Sequence, residues 1–134
     1  MSNRHGYSED LDELAIGRWR GAVNSAIRGK RGQALLKELL EALDAMPDKA
    51  LIAEELQDDQ GDVCALGCLG MKRGLPVADL DPEDPETLAE VFGVSNALIR
   101  EIAYINDEGV VETPEERFRY VRMWVEKQIA KEKA

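Results

Sequence analysis

Residues 85–104 read PETLAEVFGVSNALIREIAY, and how they are read decides the fold. Asp84 stands before a proline, which suits an N-cap followed by proline at the first helical position. Gly93-Val94-Ser95 then interrupts apolar residues that otherwise recur at helical spacing. The stretch predicts two short helices, Pro85 to about Phe92 and Asn96 to about Ile105, with Ser95 capping the second. Ala89, Gly93, Val94, Ile99 and Ile102 fall at the small, turn and core positions of a helix-turn-helix unit. Asn106 tolerates the left-handed conformation and is expected to end the second helix.

Toward the C-terminus, Thr113, Pro114 and Glu116 make a Thr-x-x-Glu capping box with proline at the first helical position. The helix they open runs on with Phe118, Val121, Trp124, Val125 and Ile129 facing inward. Toward the N-terminus, LPVADLDPEDPE is a connector rich in proline and aspartate. Before it, residues 63–74 (VCALGCLGMKRG) read as a short helix stopped by Gly74. Leu66, Leu69 and Met71 supply its burial. Glycine inside a helix costs about 0.5–1 kcal/mol against alanine, so Gly67 and Gly70 imply closely approaching neighbours. Residues 50–62 predict a short helix or irregular segment, with a small β-hairpin around Asp58-Asp59-Gln60-Gly61 as the alternative.

Further back, Leu35, Leu36, Leu39, Leu40 and Leu43 form the broad stripe of a core-facing helix from about Gly32 to Ala45, closed by Pro47. Another helix starts near Asp10 or Asp12 and carries Ile16, Trp19, Val23 and Ala26 or Ile27 on one face. Gly29 and Gly32 should end it and turn the chain. Residues 1–9 are polar and expected to be flexible. The fold class is therefore all-α: one domain of about six helices over residues 1–134, with a helix-turn-helix-like corner.

Composition narrows the function. Hydrophobic residues at 44% and charged residues at 33% describe an ordinary globular chain, without the apolar run of roughly 18 residues that a membrane span needs. The N-terminus has no signal-type apolar stretch, which places the protein in the cytoplasm as an expectation. The net charge of −10 argues against general binding to nucleic acid or anionic membranes. Its layout is uneven. Residues 1–40 hold seven Lys/Arg and five Asp/Glu, residues 41–116 four and twenty, and residues 117–134 six and two. One reading is that basic end helices pack beside the acidic middle and neutralise it in part; the other is that the middle offers an acidic surface to a basic partner.

The corner helix would place Asn96 and Arg100, with Glu101, toward a DNA groove, where asparagine can read adenine and arginine guanine. Glu86, Glu90 and their acidic neighbours oppose that reading, because phosphate contacts supply most of the affinity and no lysine is present to make them. The other candidate cluster is Arg18, Arg20, Arg28, Lys30 and Arg31. Arg18 and Arg20 point about 200° apart on a helix, so they form no single stripe. Cys64 and Cys68, four apart, offer two of the four ligands that a structural zinc needs; two small buried residues is the simpler reading. No catalytic, cofactor-binding or metal-ligating residue is assigned: the sole histidine is His5, and no phosphate loop or H-E-x-x-H occurs.

RWRGAVNSAIRGKRGQALL (18–36), QGDVCALGCLG (60–70), LDPEDPE (80–86) and IREIAYINDE (99–108) together resemble small proteins encoded by phages and prophages. Val63-Cys64-Ala65-Leu66-Gly67 and Asn106-Asp107 are the most distinctive parts. The resemblance implies a mobile-element setting and an intracellular helical protein, and carries no catalytic residue over. The expected function is that of a non-enzymatic accessory protein binding a protein partner (a host protein or itself), with counteraction of host defence as one form. A DNA-binding regulator is the first alternative and a virion or morphogenesis component the second.

Overall fold

A computed structural model describes residues 4–7, 13–109 and 111–129. Six α-helices follow in order: α1 (Glu13–Arg28), α2 (Lys30–Ala45), α3 (Ala65–Lys72), α4 (Pro85–Phe92), α5 (Asn96–Glu108) and α6 (Pro114–Ile129), with a 3-10 turn at Val77–Asp79. No strand occurs among the described residues. Helix α2 packs against α1, α3 and α6, and α5 packs against α1, α3, α4 and α6. The core runs between these two helices, and Leu36, Leu39, Leu43, Leu66, Leu69, Leu98, Ile99 and Ile102 are almost wholly buried in it.

The corner forms as its caps dictate. Asp84 Oδ1 accepts the Thr87 amide (3.2 Å), Gly93 takes the left-handed conformation at φ 75°, and Ser95 Oγ accepts the Leu98 amide (3.3 Å). Thr113 Oγ1 accepts the Glu116 amide (3.1 Å), while the Glu116 carboxylate reaches one residue further than expected, to the Glu112 amide (2.8 Å).

Several local expectations yield to packing. Gly32 does not stop a helix. It lies inside α2, buried, where a Cβ would strike the Ala26 carbonyl oxygen, so Gly29 alone breaks the chain between α1 and α2. Gly67 does the same work on α3, whose backbone sits against the Leu56 carbonyl. Residues 50–62 are irregular, with one isolated antiparallel bridge between Gln57 and Val63 around the Asp58–Gly61 turn. Met71, expected inside, is 51% exposed, and Ile16 on α1 is 39% exposed. Asn106 does not end α5. It lies within the helix at 1% exposure, because its amide satisfies buried backbone groups of other segments.

The largest departure is at the N-terminus. Residues 4–7 were expected to be loose, yet Arg4, His5 and Tyr7 are buried against α5. The expected caps Asp10 and Asp12, and the rest of the segment expected to be flexible, lie outside the described residues.

Candidate interaction surfaces

Most of helix α5 is buried or partly buried, and Glu108, about half exposed, is its only exposed residue. Residues 4–7 cross it as a strap. The Arg4 guanidinium forks onto Asp107 through Nε (2.7 Å) and Nη2 (2.8 Å), the two side chains being 1% and 3% exposed. A planar fork on a carboxylate is a strong, geometrically specific contact. Burial opposes the Arg4 charge, but the Cys64 sulfur and the Asp107 carboxylate outweigh it and hold the guanidinium above its ordinary value. Asp107 Oδ1 also accepts the Glu54 amide (3.0 Å), in a turn where Glu54 has φ 71°, and the Asn106 side-chain amide (2.8 Å). Asn106 in turn accepts from Ala65 N (3.1 Å) and donates to the Ile52 carbonyl (2.9 Å).

His5 Nδ1 accepts the Tyr7 amide (3.1 Å), so the ring proton sits on Nε2 and is donated to Glu108 (2.9 Å). Tyr7, His5 and Tyr104 meet at ring separations of about 5 Å, and Tyr7 lies against Trp19 at 3.8 Å. Burial, with the Glu101 carboxylate beside it, pushes the Tyr7 hydroxyl well above its usual range.

These contacts account for three of the residues singled out in the sequence. Arg100 donates to the His5 carbonyl (2.7 Å) and the Gly6 carbonyl (3.1 Å). Glu101, 3% exposed, accepts from the Tyr7 hydroxyl (3.0 Å) and from Arg20 (2.9 Å). Asn96 is half-buried at the start of α5. Two of the polar side chains on the helix that would read DNA, Arg100 and Glu101, thus turn to their own molecule. Nothing in the spacing of Arg4, Asn106 or Asp107 announced this cluster, whose partners lie 103 residues apart in the chain.

Two of the grooves among the described residues adjoin residues singled out in the sequence. The first, about 560 Å³, lies where the α1–α2 turn meets the α4–α5 turn, and it brings Lys30 and Arg31 beside Val94, Ser95 and Ala97. The part of the basic cluster on the α1–α2 turn therefore shares a groove with the α4–α5 turn. Arg18 and Arg28 are exposed on α1, apart from Arg20, and Glu86 and Glu90 are exposed on α4 with no ion pair among the described residues. The second groove, about 440 Å³, lies between the end of α2 and α3 and is lined by Ala42, Ala45, Met46, Ala50, Val63, Cys68 and Met71, with Asp48, Asp62 and Lys72 at its edge. Cys64 and Cys68 are both buried and form no disulfide; Cys64 Sγ accepts from Arg4 Nη1 (3.4 Å) and the Gly67 amide (3.4 Å), and burial pushes the Cys68 thiol up to about 11. Among the described residues no group of three or more His, Cys, Asp and Glu is placed to hold a metal, and no helix is long and apolar enough to cross a membrane.

Comparison with protein-family models, with curated proteins and with solved structures found no match.

Proposed function

We propose that this chain is a non-enzymatic accessory protein of the kind phages and prophages carry, acting by binding a basic surface of another protein; blocking a host defence component is one form of that activity. The observation that carries the reading is how the charges are spent. Three cations of the basic ends are taken up by the acidic middle: Arg4 by Asp107 in the interior, Arg20 by the buried Glu101, and Arg122 by Asp44 at the surface. Carboxylates turn outward: Glu55, Asp59, Asp62, Asp79, Asp81, Glu86 and Glu90 are exposed and have no ion pair among the described residues. An unneutralised surface of one sign steers encounter with the opposite sign and disfavours phosphate. The enclosure of α5 supports a protein partner over a DNA site.

The test is cross-linking of a tagged chain in bacterial cells, followed by mass spectrometry. The expected result is a partner enriched over a tagged control of equal net charge, with capture falling at least fivefold in Glu86→Lys/Glu90→Lys and at high salt. No enriched partner, together with retardation of duplex DNA at physiological salt, rejects the reading.

A further inference from the structure

We propose that the groove between the end of α2 and α3 docks a short partner segment in which one aliphatic side chain is flanked by lysine or arginine; this rests on the protein-binding reading above and names its site. Three small side chains, Ala42, Ala45 and Ala50, leave the space, and two methionines, Met46 and Met71, border it. Methionine is flexible and polarisable, and surfaces built from it adapt to an inserted apolar group. Met71 stands 51% exposed on α3, and its sulfur accepts from the Gln57 amide (3.9 Å). The floor is neutral, since the buried Cys68 thiol keeps its proton. A cleft of about 440 Å³ is within the range of about 300–1,000 Å³ that encloses small ligands. It suits one anchoring side chain and its adjoining backbone rather than a whole helix.

The charge around this cleft selects what flanks the anchor. Residues 41–72 hold eight carboxylates (Glu41, Asp44, Asp48, Glu54, Glu55, Asp58, Asp59, Asp62) against two lysines, a net of −6. Two lysines offset part of this charge: Lys72 lines the cleft with Asp48 and Asp62, and the Lys49 charge reaches the Cys68 thiol, which leaves the surroundings acidic on balance. The Lys49 ammonium is turned to the end of α2, donating to the carbonyls of Asp44 (2.6 Å) and Met46 (2.7 Å). Lys72 lies 4.0 Å from Glu41. Asp48 and Asp62 border the cleft without an ion pair among the described residues. An apolar seat with an acidic rim matches a basic segment carrying one apolar anchor.

The probe is a seven-residue peptide with one leucine between two runs of three lysines, titrated into the full chain labelled at its methionine methyls. The expected result is saturable movement of the Met46 and Met71 signals at submillimolar peptide, with Met123, exposed on α6 and outside the cleft, unmoved. Replacing the leucine by serine, or reversing the rim with Asp48→Lys/Asp62→Lys, should each weaken binding at least tenfold. Met71→Ser, read at Met46, should weaken it at least threefold. These positions are at the surface, so circular dichroism and the melting temperature should stay at wild-type values. No movement of Met46 up to 1 mM peptide overturns the proposal. So does equal binding of the serine peptide, or self-association of the chain that buries Met71. If the partner captured by cross-linking is still captured by Asp48→Lys/Asp62→Lys, the docking site is wrong and the protein-binding reading stands. If no partner is captured by the wild type, the broader reading has failed instead.

Discussion

Replacing Asp107 by alanine removes the acceptor of four donors at once: Arg4 Nε, Arg4 Nη2, the Glu54 amide and the Asn106 side-chain amide. Removing one member of a buried pair costs about 3–5 kcal/mol, because the other charge is left uncompensated. Here the strap can lift away and return Arg4 to water, which caps that cost. The strap then gives up the burial of Tyr7, and the Glu54 turn loses its tether. Together these place Asp107→Ala at about 3–4 kcal/mol, or a melting temperature lower by about 10 °C at this chain length. Arg4→Ala leaves Asp107 with two donors and a path for water, and should cost about 1.5–3 kcal/mol. Both substitutions remove the same contact, so the double variant should be little worse than Asp107→Ala, a coupling of at least about 1.5 kcal/mol. Urea unfolding followed by circular dichroism measures all four corners of the cycle, and hydrogen exchange at the Glu54 amide reports the turn directly. Additive costs, or an Asp107→Ala penalty below about 1 kcal/mol, would refute the view that this pair holds the strap.

Two further outcomes follow from the packing and the surface pairs. Gly67→Ala should destabilise by about 2 kcal/mol or more, since a Cβ meets the Leu56 carbonyl rather than a flexible side chain; a melting temperature equal to wild type would contradict the close approach. The Asp44 carboxyl is held below its usual range by the hydrogen bond from Arg122. A depressed carboxylate contributes stability above its unfolded pKa and loses it as the pH falls through the folded value. Arg122→Ala should therefore lower stability at pH 7 by about 0.3–1 kcal/mol for so exposed a pair, and the deficit should begin to shrink near the ordinary aspartate value of about 3.9 and vanish below the depressed folded value; a deficit unchanged down to about pH 2 in denaturant titrations would exclude that origin.

The helices were legible where their causes are local. Asp84, Gly93, Ser95 and Thr113 act on backbone groups within about four residues, so their sequence neighbourhood suffices. What was illegible depends on residues far along the chain. A polar tail reads as loose unless a buried carboxylate is known to await Arg4, and that carboxylate lies 103 positions away. Asn106 carries a helix-ending propensity that the unpaired Ala65 amide and Ile52 carbonyl overrule. Gly32 reads as a breaker, yet it is fixed by the distance of α2 from the end of α1. The charge layout was half legible. The termini do neutralise the middle at Arg4, Arg20 and Arg122, while Arg28, Lys30 and Arg31 stay exposed around the α1–α2 turn.

The corner at residues 85–104 separates shape from use. A recognition helix needs one face free, with its early side chains able to reach base edges. Helix α5 has the turn, the cap and the inward apolar residues of such a helix, but it stands at the centre of the bundle. Its polar residues hold the strap and the loop before α3, and its outer face is closed by Tyr7 and Trp19. The same contacts decide the outer surface. Each cation drawn inward to α5 is one fewer to offset the carboxylates of α4 and the 54–62 loop. In the proposed function, long-range attraction to a basic partner and the internal contacts of α5 are thus two results of one arrangement. Charge alone gives approach and salt sensitivity rather than a fixed pose, so a specific complex also needs an apolar seat. The Met46–Met71 cleft, with Asp48 and Asp62 in its lining, is the seat that the proposal assigns to it.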